Sequence, residues 1–358
     1  MVKVLIADDS AVVRSMVSQV LSEDPRFQLV GAAETGLKAV SLNKETNPDL
    51  IIMDITMPQM DGIEATREIL KTSNPAIIAF TTDDNSSTSY KCLEAGIIDI
   101  EHKPNLATMS RQMVIKFCDK LFEIAVSYSN GHIHRFTPIQ KKRTQEIKKT
   151  ETFSRKPLNR SFSLVLIGAS TGGPVAIQKL LSSLDPSFPL PILITQHIDG
   201  SFDQQLAKWL STTTRIPVST AQSGIQIEPG HAYIAPSTHH LKIRRHSSRN
   251  SDTKFVSMLD DSAELNFLKP SVDKMFLECA DVAGNEIIAV ILTGMGNDGT
   301  QGLLKIKSKG GYTIAQDRKT CVVFGMPKSA IEAGAIDEVL SLDQIGHRLN
   351  ILAKKQGH

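Results

Sequence analysis

The stretch FSLVLIGASTGGP, residues 162–174, joins an apolar run to a glycine-rich turn, and a helical pattern, PVAIQKLLSSL, follows from residue 174. This order predicts a buried strand, a tight turn and a helix. Such a turn has two chemical uses, because its backbone N–H groups can hold a phosphate or its bend can expose a nucleophile. The rest of the chain decides between them.

The turn fits a nucleophile better than a phosphate. Ser170 occupies the second glycine position of G-x-G-x-x-G, and the lysine of a P-loop is missing. Residues 168–172 do match G-x-S-x-G, in which a strand-to-helix turn lifts a serine out at the top of a sheet. The match alone leaves a structural serine at a helix start open, since a serine nucleophile also needs a base and a group that orients the base.

Two other strands supply candidates for those roles. PILIT, residues 191–195, ends just before His197, which puts an imidazole at the carboxyl end of a neighbouring strand. A third strand, IIAVILTG, runs into a loop with Asp298, whose carboxylate can accept the imidazole Nδ1–H. Asp298 also suits the N-cap of the next helix. Three rival histidines lie in the same half: His231, His239 and His240.

Three triad residue types on three parallel strand ends predict nucleophilic catalysis, with Ser170 as nucleophile, His197 as base and Asp298 as its partner. The chain order Ser, His, Asp differs from that of α/β-hydrolases, so that fold is not implied. We expect backbone N–H groups from Thr171 onward, with the TGMG turn around Met295, to stabilise the oxyanion.

The first half carries acids at strand ends. From residue 2 to about 127, strand-length apolar runs alternate with helical patterns, which predicts a doubly wound parallel sheet. The runs are VKVLIA (2–7), FQLVGAA (27–33), DLIIMD (49–54), AIIAFT (76–81) and IIDIEH (97–102). An aspartate at a strand end is commonly a helix N-cap. Here, however, three acids meet at one edge and suit Mg²⁺, while a hydroxyl and an ammonium at the same edge suit a phosphoryl group. These residues are Asp8, Asp9, Asp54, Thr81 and Lys103.

With DITMPQMDG at residues 54–62, these residues resemble the response-regulator receiver family. The resemblance implies a flavodoxin-like, five-stranded parallel sheet, with Asp54 as phospho-acceptor and Mg²⁺ as cofactor for phosphorylation. It implies these contacts: Asp8, Asp9 and Asp54 to Mg²⁺, and Thr81 and Lys103 to the phosphoryl group. Ile100 departs from the family pattern, since many receivers carry an aromatic switch residue there.

The second half resembles the catalytic domain of the chemotaxis protein-glutamate methylesterase family, CheB, over nearly all of residues 162–340. The motifs are IGASTGGP, TQH, YIAP, KPSVDKMF, ILTGMGNDG, GGYTIAQD and CVVFGMPKSAI. The resemblance implies a mostly parallel α/β domain in which Ser170, His197 and Asp298 hydrolyse glutamate methyl esters without a cofactor. Family members often also deamidate glutamines. The implied partners are methylated chemoreceptor cytoplasmic domains as substrate and the chemotaxis histidine kinase as phosphodonor.

Three departures from this family lie outside the triad. Ile198 and Asp199 replace Met-Pro after His197, Ser237 replaces a glycine, and the pair at 268–269, Leu-Lys, replaces His-Arg. We expect them near the substrate groove, where they bear on the choice of receptor.

Composition, net charge and cysteine spacing exclude several classes of protein. The chain has 358 residues, of which 41% are hydrophobic and 22% charged, with a formal net charge of +2. This describes a soluble globular protein without a nucleic-acid partner. Two aspartates by residue 9 exclude a signal peptide, and no apolar run approaches the ~18 residues of a membrane span, so we expect a cytoplasmic protein without membrane insertion. Four scattered cysteines suggest neither zinc nor disulfides.

We divide the chain into a receiver domain at 1–127, a basic linker at 128–160 and a catalytic domain at 161–350. Residues 132–160 carry nine Lys or Arg against two Glu without an apolar period, which is typical of a solvated linker, with docking on an acidic partner as the alternative. Residues 217–260 predict an antiparallel edge or hairpin region.

A serine hydrolase with an open groove would act continuously, so we expect the receiver to cover the groove until Asp54 is phosphorylated. A DNA-binding response regulator would need a basic helix-turn-helix output, which the second half does not match. A receptor-binding scaffold with an inactive esterase is the other alternative, because of the groove departures.

Overall fold

The computed structural model describes residues 1–81, 86–103, 110–129, 161–197, 203–247 and 253–354. Most of the expected linker, together with Ile198 and Asp199, lies outside the described residues. The domain limits at 127, 161 and 350 therefore stay predictions.

The N-terminal domain is a doubly wound sheet in the strand order β2-β1-β3-β4-β5, with every pairing parallel. β3 and β4 are buried along their whole length, because helices cover both faces of a parallel sheet. The fifth strand begins two residues later than its apolar run. The elements are β1 (Val2–Ala7), α1 (Ala11–Ser22), β2 (Phe27–Ala33), α2 (Gly36–Thr46), β3 (Leu50–Asp54), α3 (Gly62–Thr72), β4 (Ala76–Thr81), α4 (Ser86–Ala95), β5 (Asp99–His102) and α5 (Arg111–Ser129).

The C-terminal domain is a seven-stranded parallel sheet in the order β14-β13-β12-β6-β7-β9-β8. Its elements are β6 (Leu164–Ala169), α6 (Gly173–Ser182), β7 (Ile192–Gln196), α7 (Asp203–Thr213), β8 (Val218–Thr220), β9 (Ala232–Ile234), β10 (His240–Ser247), β11 (Thr253–Asp260), α8 (Val272–Ala283), β12 (Ile287–Ile291), α9 (Thr300–Ser308), β13 (Tyr312–Gln316), α10 (Met326–Glu332), β14 (Glu338–Leu340) and α11 (Leu342–Leu352). The prediction of two doubly wound α/β domains is confirmed.

The prediction for residues 217–260 is partly wrong. β10 and β11 form an antiparallel pair, but β8 and β9 join the main sheet in parallel. Each of these two strands has only three residues, and so short a run does not reveal the direction of its partner.

The strand order reverses its direction at β6, and this reversal creates the crevice in which the candidate site lies. β7 pairs with one side of β6 and β12 with the other, so the loops after these three strands open at one crevice. Gly168 on β6 lies in register with Ile291 on one side and Thr195 on the other, which aligns the strand ends.

The two domains contact each other through α4 and α5. Trp209 on α7 packs against the apolar cluster that contains Leu93 of α4, and its Nε1 donates to Glu94 Oε1 at 3.4 Å. Val322 and Val323 share a second buried cluster with the N-terminal domain, against which Phe117 of α5 packs. The face of the N-terminal domain formed by α4 and α5 is thus turned toward the C-terminal domain.

Two further observations concern the described residues. None of their helices is both long and apolar enough to cross a bilayer. All four cysteines are buried free thiols, in line with the absence of a disulfide pattern.

A buried ion pair in the C-terminal domain predicts a large effect on stability. Arg348 Nε lies 2.9 Å from Glu338 Oε2, and both side chains are less than 10% exposed. Glu338→Ala would leave a buried cation without its counter-charge, so we expect the free energy of unfolding in urea to fall by about 3 kcal/mol. Glu332→Ala is the control, since that exposed carboxylate lies 3.8 Å from Lys328 and should matter little. Equal losses in the two variants would contradict this account.

Candidate active site

Ser170 lies at the tight turn between β6 and α6. Its N–H donates to Thr293 O at 3.0 Å, and its carbonyl accepts from the Gly173 N–H at 2.7 Å. Gly172 at the N-cap of α6 has φ 73°, a left-handed conformation that glycine adopts without strain. The turn therefore presents a partly exposed serine at the carboxyl end of β6, as the G-x-S-x-G spacing predicts.

The His197 imidazole is bonded to Asp298. His197 Nε2 lies 2.8 Å from Asp298 Oδ2, and the imidazole is 14% exposed. The prediction that Asp298 accepts from Nδ1 is wrong, because the carboxylate is fixed at the start of α8 and the imidazole reaches it with its distal nitrogen. Nδ1 is then the nitrogen available to a nucleophile.

Asp298 is held by a helix other than the one it precedes. Its carboxylate accepts from Ser271 Oγ at 2.9 Å, from the Val272 N–H at 2.7 Å and from the Asp273 N–H at 2.8 Å. Asp298 therefore lies at the N-terminus of α8, while Gly299 is the N-cap of α9. Burial alone would raise the pKa of Asp298, but the bonds from His197 and these N–H groups outweigh it and hold the pKa below its usual range.

Gln196 ties the serine and histidine loops together, a role that the sequence analysis missed. Its Nε2 donates to Ser170 O at 2.9 Å and to His197 O at 2.8 Å. His197 N–H also donates to Ala169 O at 3.0 Å. A polar residue at the buried end of an apolar strand, directly before the histidine, was the available signal.

The structure brings His197 and Asp298 into contact but not Ser170 and His197. Within the described ranges, Ser170 Oγ has no hydrogen-bond partner, so the bond to the imidazole is not formed in this conformation. Catalytic hydrogen bonds are often long without substrate and tighten when it binds. The rival histidines bond elsewhere: His231 to Ser219 Oγ, His239 to Thr238 Oγ1, and His240 to the Ser271 N–H and Ala263 O.

The oxyanion donors predicted from the sequence are the backbone N–H groups of Thr171 and Met295. The sequence predicts that the helix after Ser170 begins at Thr171, but α6 begins at Gly173. The Gly173 N–H donates to the carbonyl of Ser170. In the part of the chain that the structure describes, neither the Thr171 N–H nor the Met295 N–H has a hydrogen-bond partner. Thr293 Oγ1 donates to Thr171 O at 3.0 Å and so fixes that peptide.

The acids of the N-terminal domain form one cluster. Asp8, Asp9 and Asp54 each place a carboxylate oxygen within 4.8 Å of the other two. Lys103 Nζ lies 2.7 Å from Asp54 Oδ2 and 2.9 Å from Asp8 Oδ2, and Thr81 is buried at the end of β4. Burial raises the pKa of Asp54, against the hydrogen bond and positive charge of Lys103. Three clustered carboxylates fit a hard divalent cation such as Mg²⁺.

The residues that depart from the family patterns make different contacts in the structure. Ser237 donates from its N–H and Oγ to Asp203 Oδ2, at 2.9 and 3.2 Å. Lys269 Nζ donates to Asp261 O at 2.8 Å. Ile100 packs against the N-terminal core and also against the cluster that contains Leu93 at the domain contact.

Fold and site define a class, a receiver-type domain joined to a parallel α/β domain that carries a His–Asp pair beside a serine turn. The model of the response regulator receiver domain matches residues 4–114, and that of CheB methylesterase matches residues 165–349. The chain belongs to the CheB methylesterase family.

Individual relatives agree with this family. The chain is similar to a protein-glutamate methylesterase/protein-glutamine glutaminase of Methylobacillus flagellatus, with 35% identity over 99% of this chain and 98% of the relative. One of the same description from Chromohalobacter salexigens is 36% identical over 99% of this chain and 97% of its own length. Among solved structures, the Thermotoga maritima CheB methylesterase catalytic domain is 42% identical, with a TM-score of 0.50 over 54% of this chain and 100% of that one.

Gly294 predicts how tightly the site is packed. A Cβ at this position would lie 2.7 Å from Ser170 Cβ and 2.4 Å from Met326 Sδ. We expect Gly294→Ala to displace the serine turn and to slow labelling of Ser170 by a fluorophosphonate at least tenfold, since a misplacement of about 1 Å can cost about 100-fold. Gly224→Ala serves as control, because that glycine has φ 82° but open space around it. Labelling of Gly294→Ala at the wild-type rate would refute this packing constraint.

Proposed function

We propose that this protein is a phosphorylation-activated protein-glutamate methylesterase that hydrolyses γ-glutamyl methyl esters on chemoreceptor cytoplasmic domains. The observation that carries the proposal is the bonded His197–Asp298 pair at the crevice where the Ser170 turn also ends. Family membership over nearly the full chain supports the same substrate class.

In the proposed reaction, Ser170 Oγ attacks the ester carbonyl as its proton passes to Nδ1 of His197. Asp298 stabilises the resulting imidazolium through its bond to Nε2. The N–H groups of Thr171 and Met295 receive the oxyanion. Methoxide takes the proton and leaves as methanol, and water then attacks the acyl-enzyme with His197 again as base, which releases glutamate.

The same steps serve a glutamine side chain, with ammonia as leaving group in place of methanol. The relatives' description as protein-glutamine glutaminases supports this second activity. No step of either reaction calls on a metal, since the charge that develops is met by N–H groups and by the imidazole.

Phosphorylation is assigned to Asp54, with a chemotaxis histidine kinase as phosphodonor. Asp54 would attack the phosphoryl group while Lys103, now paired with Asp54 and Asp8, turns to a phosphoryl oxygen. Thr81 at the end of β4 would supply a hydroxyl to the same group. Mg²⁺ held by Asp8, Asp9 and Asp54 would neutralise charge on the incoming phosphoryl group.

The receiver is proposed to restrain the esterase by direct packing on its oxyanion turn. Met295 packs against the cluster that Val322 and Val323 share with the N-terminal domain, and Phe117 of α5 packs against that cluster too. The Gly294 carbonyl accepts the N–H of Gly325, and this bond joins the loop that carries Val322 and Val323 to the turn that carries Met295. A movement of α5 on phosphorylation would therefore displace the turn around Met295 through side chains that are already packed together.

The first test is methanol release from methylated receptor fragments, with and without a small phosphodonor and Mg²⁺. We expect release to rise with phosphodonor, to stay low in Asp54→Asn and to vanish in Ser170→Ala. An intact wild-type protein that releases no methanol under any condition would favour a receptor-binding scaffold and overturn the proposed reaction.

A second test addresses the restraint. A shortened chain that begins at residue 155 lacks the receiver, so we expect it to release methanol faster than the unphosphorylated full chain and to ignore the phosphodonor. A shortened chain no faster than the full one, yet folded by circular dichroism, would show that packing by the receiver does not limit the reaction.

A further inference from the structure

Helices α8 and α9 exchange acidic residues at their N-termini. Asp298, one residue before the N-cap of α9, accepts two N–H bonds from the start of α8. Asp273, in the first turn of α8, accepts at 2.8 Å from the N–H of Gly302, which lies in the first turn of α9. Each helix N-terminus is thus met by the carboxylate that belongs to the other helix, which suits the partial positive charge at both ends.

The exchange happens in a tightly packed contact. Asp273 and Asp298 are each 4% exposed. A Cβ on Gly302 would lie 2.2 Å from Phe276 Cβ, so α9 approaches α8 with no side chain between them at this point. A shift of the start of α9 away from α8 must therefore break the bond from the Gly302 N–H to Asp273.

We propose that Asp273 is a positioning residue for the esterase reaction, whose carboxylate clamps the start of α9 to α8 through Gly302 and so holds Asp298 against His197. This inference rests on the proposed function. Asp273 touches neither His197 nor Ser170 and acts only through Asp298, which lies four residues before its partner Gly302.

Electrostatics indicate that the charge of Asp273 does not stabilise the fold at neutral pH. Burial raises the pKa of Asp273 to about 6, the negative charge of Asp298 adds to the rise, and the N–H bonds from α9 only partly offset it. No Lys, Arg or His among the described residues pairs with Asp273, so the charged group facing it is Asp298. A folded pKa above the unfolded value of ~3.9 means that stability falls as pH rises between that value and about 6. At neutral pH the charge therefore destabilises the fold.

The test compares Asp273→Asn and Asp273→Ala with the wild type in the full-length phosphorylated protein. Both variants lack the carboxylate that accepts the Gly302 N–H. We expect kcat for methanol release to fall about 10- to 100-fold with KM within twofold, as for a small misplacement of a catalytic group. Asp273→Asn should nevertheless have an unfolding midpoint at pH 7.5 equal to or above that of the wild type.

A control for general loss of a helix cap is Ser341→Ala. Ser341 forms a capping box at the start of α11 in the same domain, so this variant should unfold earlier while keeping the wild-type kcat. A purely structural role for Asp273 would make its variants behave like Ser341→Ala.

A second readout does not depend on turnover. The His197 N–H that is bonded to Asp298 gives a low-field proton NMR signal, which is assigned by its loss in His197→Gln. We expect this signal to shift or broaden in Asp273→Asn and to remain unchanged in Ser341→Ala. If the wild type releases methanol and Asp273→Asn keeps both its kcat and this signal, the clamp is wrong and the proposed function stands. If the wild type releases no methanol, the proposed function fails and the NMR signal alone decides whether the clamp exists.

Discussion

The bond between the His197 imidazole and the buried Asp298 carboxylate is the interaction on which the arrangement of the catalytic domain depends. A buried carboxylate is costly unless it is fully bonded, and here one hydroxyl, two helix N–H groups and the imidazole share the task. Those partners come from the residue after β7 and from the start of α8. The carboxylate therefore joins segments that lie about a hundred residues apart in sequence.

The fold could be predicted because its cause is local. Parallel strands covered on both faces read as continuous apolar runs, and the runs at β1, β2 and β4 match the observed strands at both ends. The positions of Ser170, His197 and Asp298 at strand ends followed from the same periodicity. β8 and β9 did not, because in three-residue strands the partner is chosen by tertiary packing rather than by pattern.

The finer chemistry of the site could not be predicted, because it depends on which backbone groups meet. The choice of Nε2 over Nδ1 depends on where the start of α8 holds Asp298, a distance that no motif encodes. The capping of α9 by Asp273 likewise joins residues 29 positions apart. Sequence patterns name the residue types, whereas hydrogen-bond direction needs the assembled helices.

The loop that carries Val322 and Val323 serves both domains at once. Val322 fills the space beside Gly172 of the serine turn, where a Cβ would lie 2.5 Å from its Cγ2, and it belongs to the same buried cluster as Phe80 of the receiver. One side chain thus packs against the serine turn and against the receiver core. Substitutions on α5 and in this loop must therefore be compensated together, so a receiver exchanged between distant relatives would bring an ill-fitting surface to the oxyanion turn.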